Sequence, residues 1–158
     1  DGHKYIEINY EGGKRHGLVT RWHSGGEKAY KVNIDYGKLH GLETSWYEDG
    51  QKSRESHYKN GQKQGLSVMW YENGQKSKET NYEDDEMVTV TVWQPNGTKC
   101  SETNFENGKG VLVEYHENGQ KSVETNYVDG KKHGLQTHWD EEGNVTEQAK
   151  FENGEKVE

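Results

Sequence analysis

His16, His40 and His133 each stand directly before a glycine, at one shared point of a repeating pattern. Histidines at matched positions suggest metal chemistry, because neutral imidazole is a good ligand. Ligands must converge on one ion, however, and the equivalent points elsewhere carry Gln64 and Val88. The histidines are therefore read as turn residues with local partners, and no metal is expected. Asp84, Asp85 and Glu86 form an acidic run, but a calcium loop places more oxygen ligands at alternating spacing. A solvated, irregular turn is the reading for that run. Cys100 falls in a column of small residues and has no base placed beside it, so it is a packed thiol rather than a nucleophile. A lysine column, Lys28, Lys52, Lys76, Lys99 and Lys121, could bind phosphate; stems packed over neighbouring aromatic rings account for it more simply. The tripeptides beginning at Asn96 and Asn144 fit the glycosylation sequon and are given no role. No catalytic residue and no cofactor are predicted.

Composition sets the bounds. Of 158 residues only 27% are hydrophobic and 30% are charged, which is thin for a two-layer core. Ten Tyr and five Trp argue against disorder. Twenty Gly and one Pro suit a turn-rich β architecture. No apolar run is long enough to span a membrane as a helix. The formal charge of −8 argues against nucleic acid and anionic lipid as partners. One cysteine permits no internal disulfide and leaves the compartment open.

The elements that carry these residues are repeats. From Leu18 the chain divides into 18–41, 42–65, 66–88, 89–110, 111–134 and 135–158, preceded by a partial repeat, 1–17. The fifth position reads Trp22, Trp46, Trp70, Trp93, Tyr115, Trp139. The ninth is always glycine, and the seventeenth reads Ile34, Tyr58, Tyr82, Phe105, Tyr127, Phe151. Each block holds two turn signals, one exemplified by Asn73-Gly74 and one by Asn60-Gly61. Both suit two-residue type I′ turns, which need positive φ at both central residues. The expected fold is all-β: a single-layer, twisted antiparallel meander of β-hairpins.

The turns also predict register. Trp70 should face Ser77, Val68 should face Glu79, and Tyr58, Tyr82 and Tyr127 should face Gly41, Gly65 and Gly110, each ring covering a glycine. One face would then carry the Trp column with Glu55, Glu79, Glu102 and Glu124. The other would carry the Tyr/Phe column and the lysines. The stretch 83–93 loses its Asn-Gly turn and predicts a kink or bulge, with its Val-rich strand as an alternative docking strand.

The pattern LxxxWYENGxxxxExxYxNGxxxG resembles the MORN repeat, in the variant form common in bacterial proteins and often labelled YwqK-type antitoxins. The resemblance runs from Gly2 to Gly154. It implies a β-hairpin strip with a binding or scaffolding role, brings no catalytic residues, and the antitoxin label implies a protein partner. The function expected is non-enzymatic protein binding. The candidate contacts are Trp46, Trp70, Trp93 and Trp139 with Glu55, Glu79, Glu102 and Glu124, which would favour a basic partner. A carbohydrate or cell-surface module stacking ligands on the Trp row is the alternative, as is an antitoxin-like binder of a basic toxin. Gly2 falls at a hairpin turn, so Ile6–Tyr10 would form an apolar edge strand. That edge predicts either more chain upstream of Asp1 or cover by another chain, a second copy included. Charge at Glu155, Lys156 and Glu158 would protect the other edge.

Overall fold

A computed structural model describes residues 5–157. Gly2, the expected hairpin turn, and Glu158 lie outside them. The described chain is all-β and antiparallel throughout. The first sheet holds β1 (Ile6–Glu11), β2 (Lys14–Trp22), β3 (Lys28–Asp35), β4 (Lys38–Trp46), β5 (Lys52–Lys59), β6 (Gln62–Lys63), β7 (Gly65–Trp70), β8 (Lys76–Glu83) and β9 (Glu86–Val92). The second holds β10 (Gly110–Tyr115), β11 (Lys121–Val128), β12 (Lys131–Trp139), β13 (Val145–Glu152) and β14 (Glu155–Lys156). Strands follow one another in chain order, as hairpin repeats must.

The second turn of the repeat is the expected type I′. Asn60-Gly61, Asn107-Gly108, Asp129-Gly130 and Asn153-Gly154 all have positive φ at both residues. The first turn is not. At Asn73-Gly74 only the glycine has positive φ. Gly74 N–H donates to Tyr71 O (2.9 Å) and Tyr71 N–H donates to Gln75 O (2.9 Å). This is a type I turn followed by a left-handed glycine, a three-residue loop. Asn73 Oδ1 stabilises it from inside by accepting Gln75 N–H at 2.9 Å.

The longer loop moves the register by one, and Trp70 pairs with Lys76 rather than with Ser77. A bulge at Ser77 restores it: Met69 pairs with Lys78, Val68 with Glu79 and Gly65 with Tyr82. Gly41–Tyr58 and Gly110–Tyr127 follow the same rule. Because of the bulge, Lys76 and Glu79 both share the face of Trp70. Lys52 Nζ lies 6.0 Å from the Trp70 ring centroid and Lys76 Nζ lies 5.8 Å from that of Trp93. The lysine column is thus on the Trp face, not opposite it.

The stretch 83–93 keeps a tight turn and carries the expected bulge, at Val88: Tyr82 pairs with Met87 and Asn81 with Thr89. Asp84 and Asp85, both at positive φ, make a two-residue turn, and Glu83 pairs with Glu86. Aspartate tolerates this region better than most residues. The break falls later, over 93–109, where only isolated bridges remain. Side chains stand in for the ladder there. Asn104 Oδ1 accepts Val111 N–H (2.7 Å), and Thr103 Oγ1 bonds both Val113 N–H (3.0 Å) and Val113 O (3.2 Å). The strip bends at this point and brings the two sheets into contact. The larger core fills the bend: Val90, Val92, Cys100, Phe105, Leu112 and Val113. Val90 and Val92 are core residues, so their strand offers them no docking role. A smaller cluster, Val19, Val32 and Ile34, sits near the start.

Candidate functional site

Alternation within a strand fixes the composition of the Trp face. Leu66, Val68 and Trp70 in β7 point the same way, as do Leu42, Thr44 and Trp46 in β4 and Leu135, Thr137 and Trp139 in β12. The middle row, Val68, Thr44 and Thr137, is buried. The Trp rings are half-buried. The leucines are not covered: Leu18, Leu42, Leu66 and Leu135 are 40%, 44%, 49% and 49% exposed.

The acidic residues lie along this face and are neutralised on it. Lys52 Nζ is 2.6 Å from Glu55, Lys76 pairs with Glu79, and Lys121 holds both Glu102 and Glu124. Glu102 belongs to the irregular segment and reaches the face only through Lys121. The structure gathers Trp46, Trp70, Glu55 and Glu79 on adjacent repeats of the first sheet. Trp93 closes that row, while Trp139 and Glu124 lie on the second sheet.

Two features of the repeat carry no signal of their own in the sequence. At four repeats the residue after the fifth-position aromatic forms a spine to the next repeat. His23 Nε2 donates to Trp46 O (3.0 Å), Tyr47 OH to Trp70 O (2.6 Å), Tyr71 OH to Trp93 O (2.8 Å) and His116 Nε2 to Trp139 O (2.8 Å). The second feature is a polar network on the opposite face. Arg54 Nη2 lies 3.3 Å from Glu43 Oε2 and 3.1 Å from Tyr58 OH, and Ser56 Oγ meets Ser67 Oγ at 2.7 Å. Burial, and next the Glu43 carboxylate, push the neighbouring Tyr30 phenol up to about 12.

The residues considered for chemistry are accounted for locally only in part: the buried Nδ1 atoms of His16 and His40 make no hydrogen bond. His16 lies 3.4 Å from both Glu11 and Asp35. Cys100 is buried, with Tyr115 OH 3.1 Å from its Sγ. Burial raises that thiol, but hydrogen bonds from Tyr115 and Thr103 outweigh it and hold the thiol below its usual range. Among the described residues no group of three His, Cys, Asp or Glu side chains could hold a metal ion.

No curated protein matches the chain, so no relative supports the antitoxin label. The family of the MORN repeat variant matches residues 39–60, 63–84, 109–129 and 132–153, more than half of the sequence. Its matches fall on hairpins in both sheets. With that match, the hairpin ladder and the tyrosines paired across from glycines, the chain belongs to the MORN repeat variant family.

Proposed function

We propose that this strip is a non-enzymatic scaffold whose Trp-bearing face docks another protein. Repeats of this family are generally modules that bind proteins or membranes. The observation that carries the reading is the leucine row. Four leucines at one repeat position stay 40–49% exposed in a chain only 27% hydrophobic. Scattered exposed apolar residues are ordinary; an aligned row of them beside half-buried Trp is the composition of an interface centre. Leu18, Leu42 and Leu66 stand on consecutive repeats, roughly 10 Å apart at two strand spacings each.

Protein fits this face better than a glycan does. Lys52 and Lys76 lie over the rings of Trp70 and Trp93, so those rings are not a bare stacking platform. The net charge of −8 favours a basic partner at long range, while the lysines on the face soften that preference locally.

The test is site-specific photo-crosslinking. A benzophenone residue at Leu42 or Leu66, incubated with extract of the native cell, should give a defined protein adduct. The same group at Met69, exposed on the other face, should not. Equal labelling from both faces would rule the assignment out.

A further inference from the structure

The pair Asn-Gly occurs six times, at Asn60, Asn73, Asn96, Asn107, Asn118 and Asn153. A following glycine carries no side chain to block its own nitrogen from reaching the asparagine amide carbon. We infer that Asn107 is the protein's site of spontaneous deamidation, set apart from the other five by the interruption of the repeat. In this reaction the Gly108 nitrogen loses its proton to water or hydroxide and attacks Asn107 Cγ. A C–N bond forms, the side-chain nitrogen leaves as ammonia, and a succinimide ring results. Water opens the ring at one carbonyl to give aspartate, or at the other to give isoaspartate. Nothing is oxidised or reduced, and water is the only co-reactant. The inference stands apart from the docking face.

Two groups must be free for the attack: the asparagine side chain, which has to rotate, and the glycine N–H, whose proton has to leave. The first condition removes three pairs. Asn73, Asn96 and Asn118 accept the N–H groups of Gln75 (2.9 Å), Thr98 (2.8 Å) and Gln120 (2.9 Å) on their Oδ1 atoms. Asn73 and Asn118 also donate to Pro95 O (2.8 Å) and Glu141 O (2.7 Å). Asn60, Asn107 and Asn153 lie at positive φ, and their side chains make no hydrogen bond among the described residues. The second condition divides these three. Gly61 N–H donates to Leu39 O (2.8 Å) and Gly154 N–H to Lys132 O (2.9 Å), each reaching the preceding repeat. At the bend that bond moves by one residue. Asn107 N–H takes Val88 O (2.7 Å), and Gly108 N–H has no hydrogen bond among the described residues. Only at Asn107-Gly108 are both groups free. Asn107 is exposed and, with Gly108, lines a cleft of about 590 Å³, which gives water access to the pair. Glu83, Asp85, Glu86 and Asp129 line the same cleft, against one cation, Lys131. Either product adds a further negative charge among them. Isoaspartate also lengthens the backbone of a turn that is already in contact, since even a Cβ on Gly108 would lie 2.7 Å from Gly130 N. Conversion should therefore loosen the bend.

The experiment incubates the full chain at mildly alkaline pH and follows it by tryptic peptide mapping and mass spectrometry. The lysines place the six pairs in six different peptides. Asn107 should convert first, several-fold faster than Asn60 and Asn153, with Asn73, Asn96 and Asn118 slowest. In urea concentrated enough to unfold the chain, the six rates should draw together, because the reacting pair is the same in each. A folded-state rate at Asn107 no higher than at Asn60 or Asn73 would overturn the inference, and so would an order left unchanged by urea. Two variants test the consequence without waiting for the reaction. Asn107→Asp should lower the urea midpoint, and Asn60→Asp, at an equivalent turn outside the bend, should leave it nearly unchanged. An Asn107→Asp chain as stable as its parent would overturn the predicted loosening.

Discussion

Between β4 and β8 most of what the strip buries is polar: Glu43, Thr44, Ser56, Ser67 and Thr80, with Val68 and Tyr71 the exceptions. Between β9 and β10 it buries Val90, Val92, Cys100, Phe105, Leu112 and Val113. The first region keeps a strand-to-strand hydrogen-bond ladder, bulged once per hairpin, and stacks each repeat on the next through the spine of Tyr47 and Tyr71. The second has lost its ladder over 93–109 and is held by a core instead. A repeat array draws its stability from nearest neighbours. Where the repeat is interrupted, apolar burial must replace what the neighbours supplied, and the sequence concentrates its valines there.

The difference is best broken at Phe105. It is 3% exposed and meets Tyr127 edge-on, with ring centroids 5.2 Å apart. Phe105→Ala should cost about 3–5 kcal/mol, the usual range for a buried aromatic. Urea denaturation followed by tryptophan fluorescence would measure it. A cost below about 1 kcal/mol would mean that the bend is not the main core.

Alkaline titration touches both regions. Burial pushes Tyr30, next to Glu43 of the first region, and Tyr115, at the bend, each up to about 12. Both phenols ionise more easily in the unfolded chain, near 10. The folded state therefore keeps protons that the unfolded state releases, and its advantage is full below pH 10. That advantage is lost as pH rises from 10 toward 12, and the melting temperature should fall across that window. Tyr30→Phe removes one such group and should flatten the fall. An unchanged slope would show that Tyr30 does not contribute.

Trp70→Ala tests the Trp row where it approaches the bend. Its ring is half-buried, so a loss of roughly 2 kcal/mol is expected, well under that at Phe105. A loss as large as that at Phe105 would place the main packing on the Trp row and erase the contrast between the regions.

Much of this was legible in the repeat, and the failures have physical causes. The pairing of Gly41, Gly65 and Gly110 with Tyr58, Tyr82 and Tyr127 came out as the turn spacing predicts, because the bulge restores the register that a two-residue loop would set. The covering by the rings did not, since the space over Gly41 and Gly65 is open and Gly110 faces Asn104. The first turn misled because Asn73 is used for its side chain rather than for left-handed φ, and the dipeptide is the same either way. Its extra residue was then cancelled by the bulge at Ser77, so Val68–Glu79 came out right although Trp70–Ser77 did not. That hidden pair of shifts also moved the lysines to the Trp face. The irregularity was sought over 83–93 as a kink or bulge; the bulge is there, at Val88, while Asp84 and Asp85 still make a turn and the larger break lies beyond it. That break, 93–109, is marked by a block of 22 residues, 89–110, and by the single proline, Pro95. The leucine column was visible as a repeat position. Its exposure was not, since that depends on there being no second layer over it.

The smallest effect separates the two accounts of the acidic stripe by its sign. Were Glu55 and Glu79 unpaired neighbours on one face, Glu79→Gln would relieve repulsion and stabilise the fold. In the structure Glu79 is paired with Lys76, which also lies over Trp93. Glu79→Gln should therefore destabilise, by about 0.3–0.5 kcal/mol, as half-exposed ion pairs do. Lys76→Met should cost more, because it removes the ion pair and the cation over the ring together. The double variant should cost less than the two single losses combined, since the second change finds the pair already broken. Screening tests the origin of the effect: raising salt from low to molar concentration should shrink the Glu79→Gln difference toward zero. A stabilised Glu79→Gln at low salt would return the lysines to the far face and restore a bare acidic stripe beside the tryptophans.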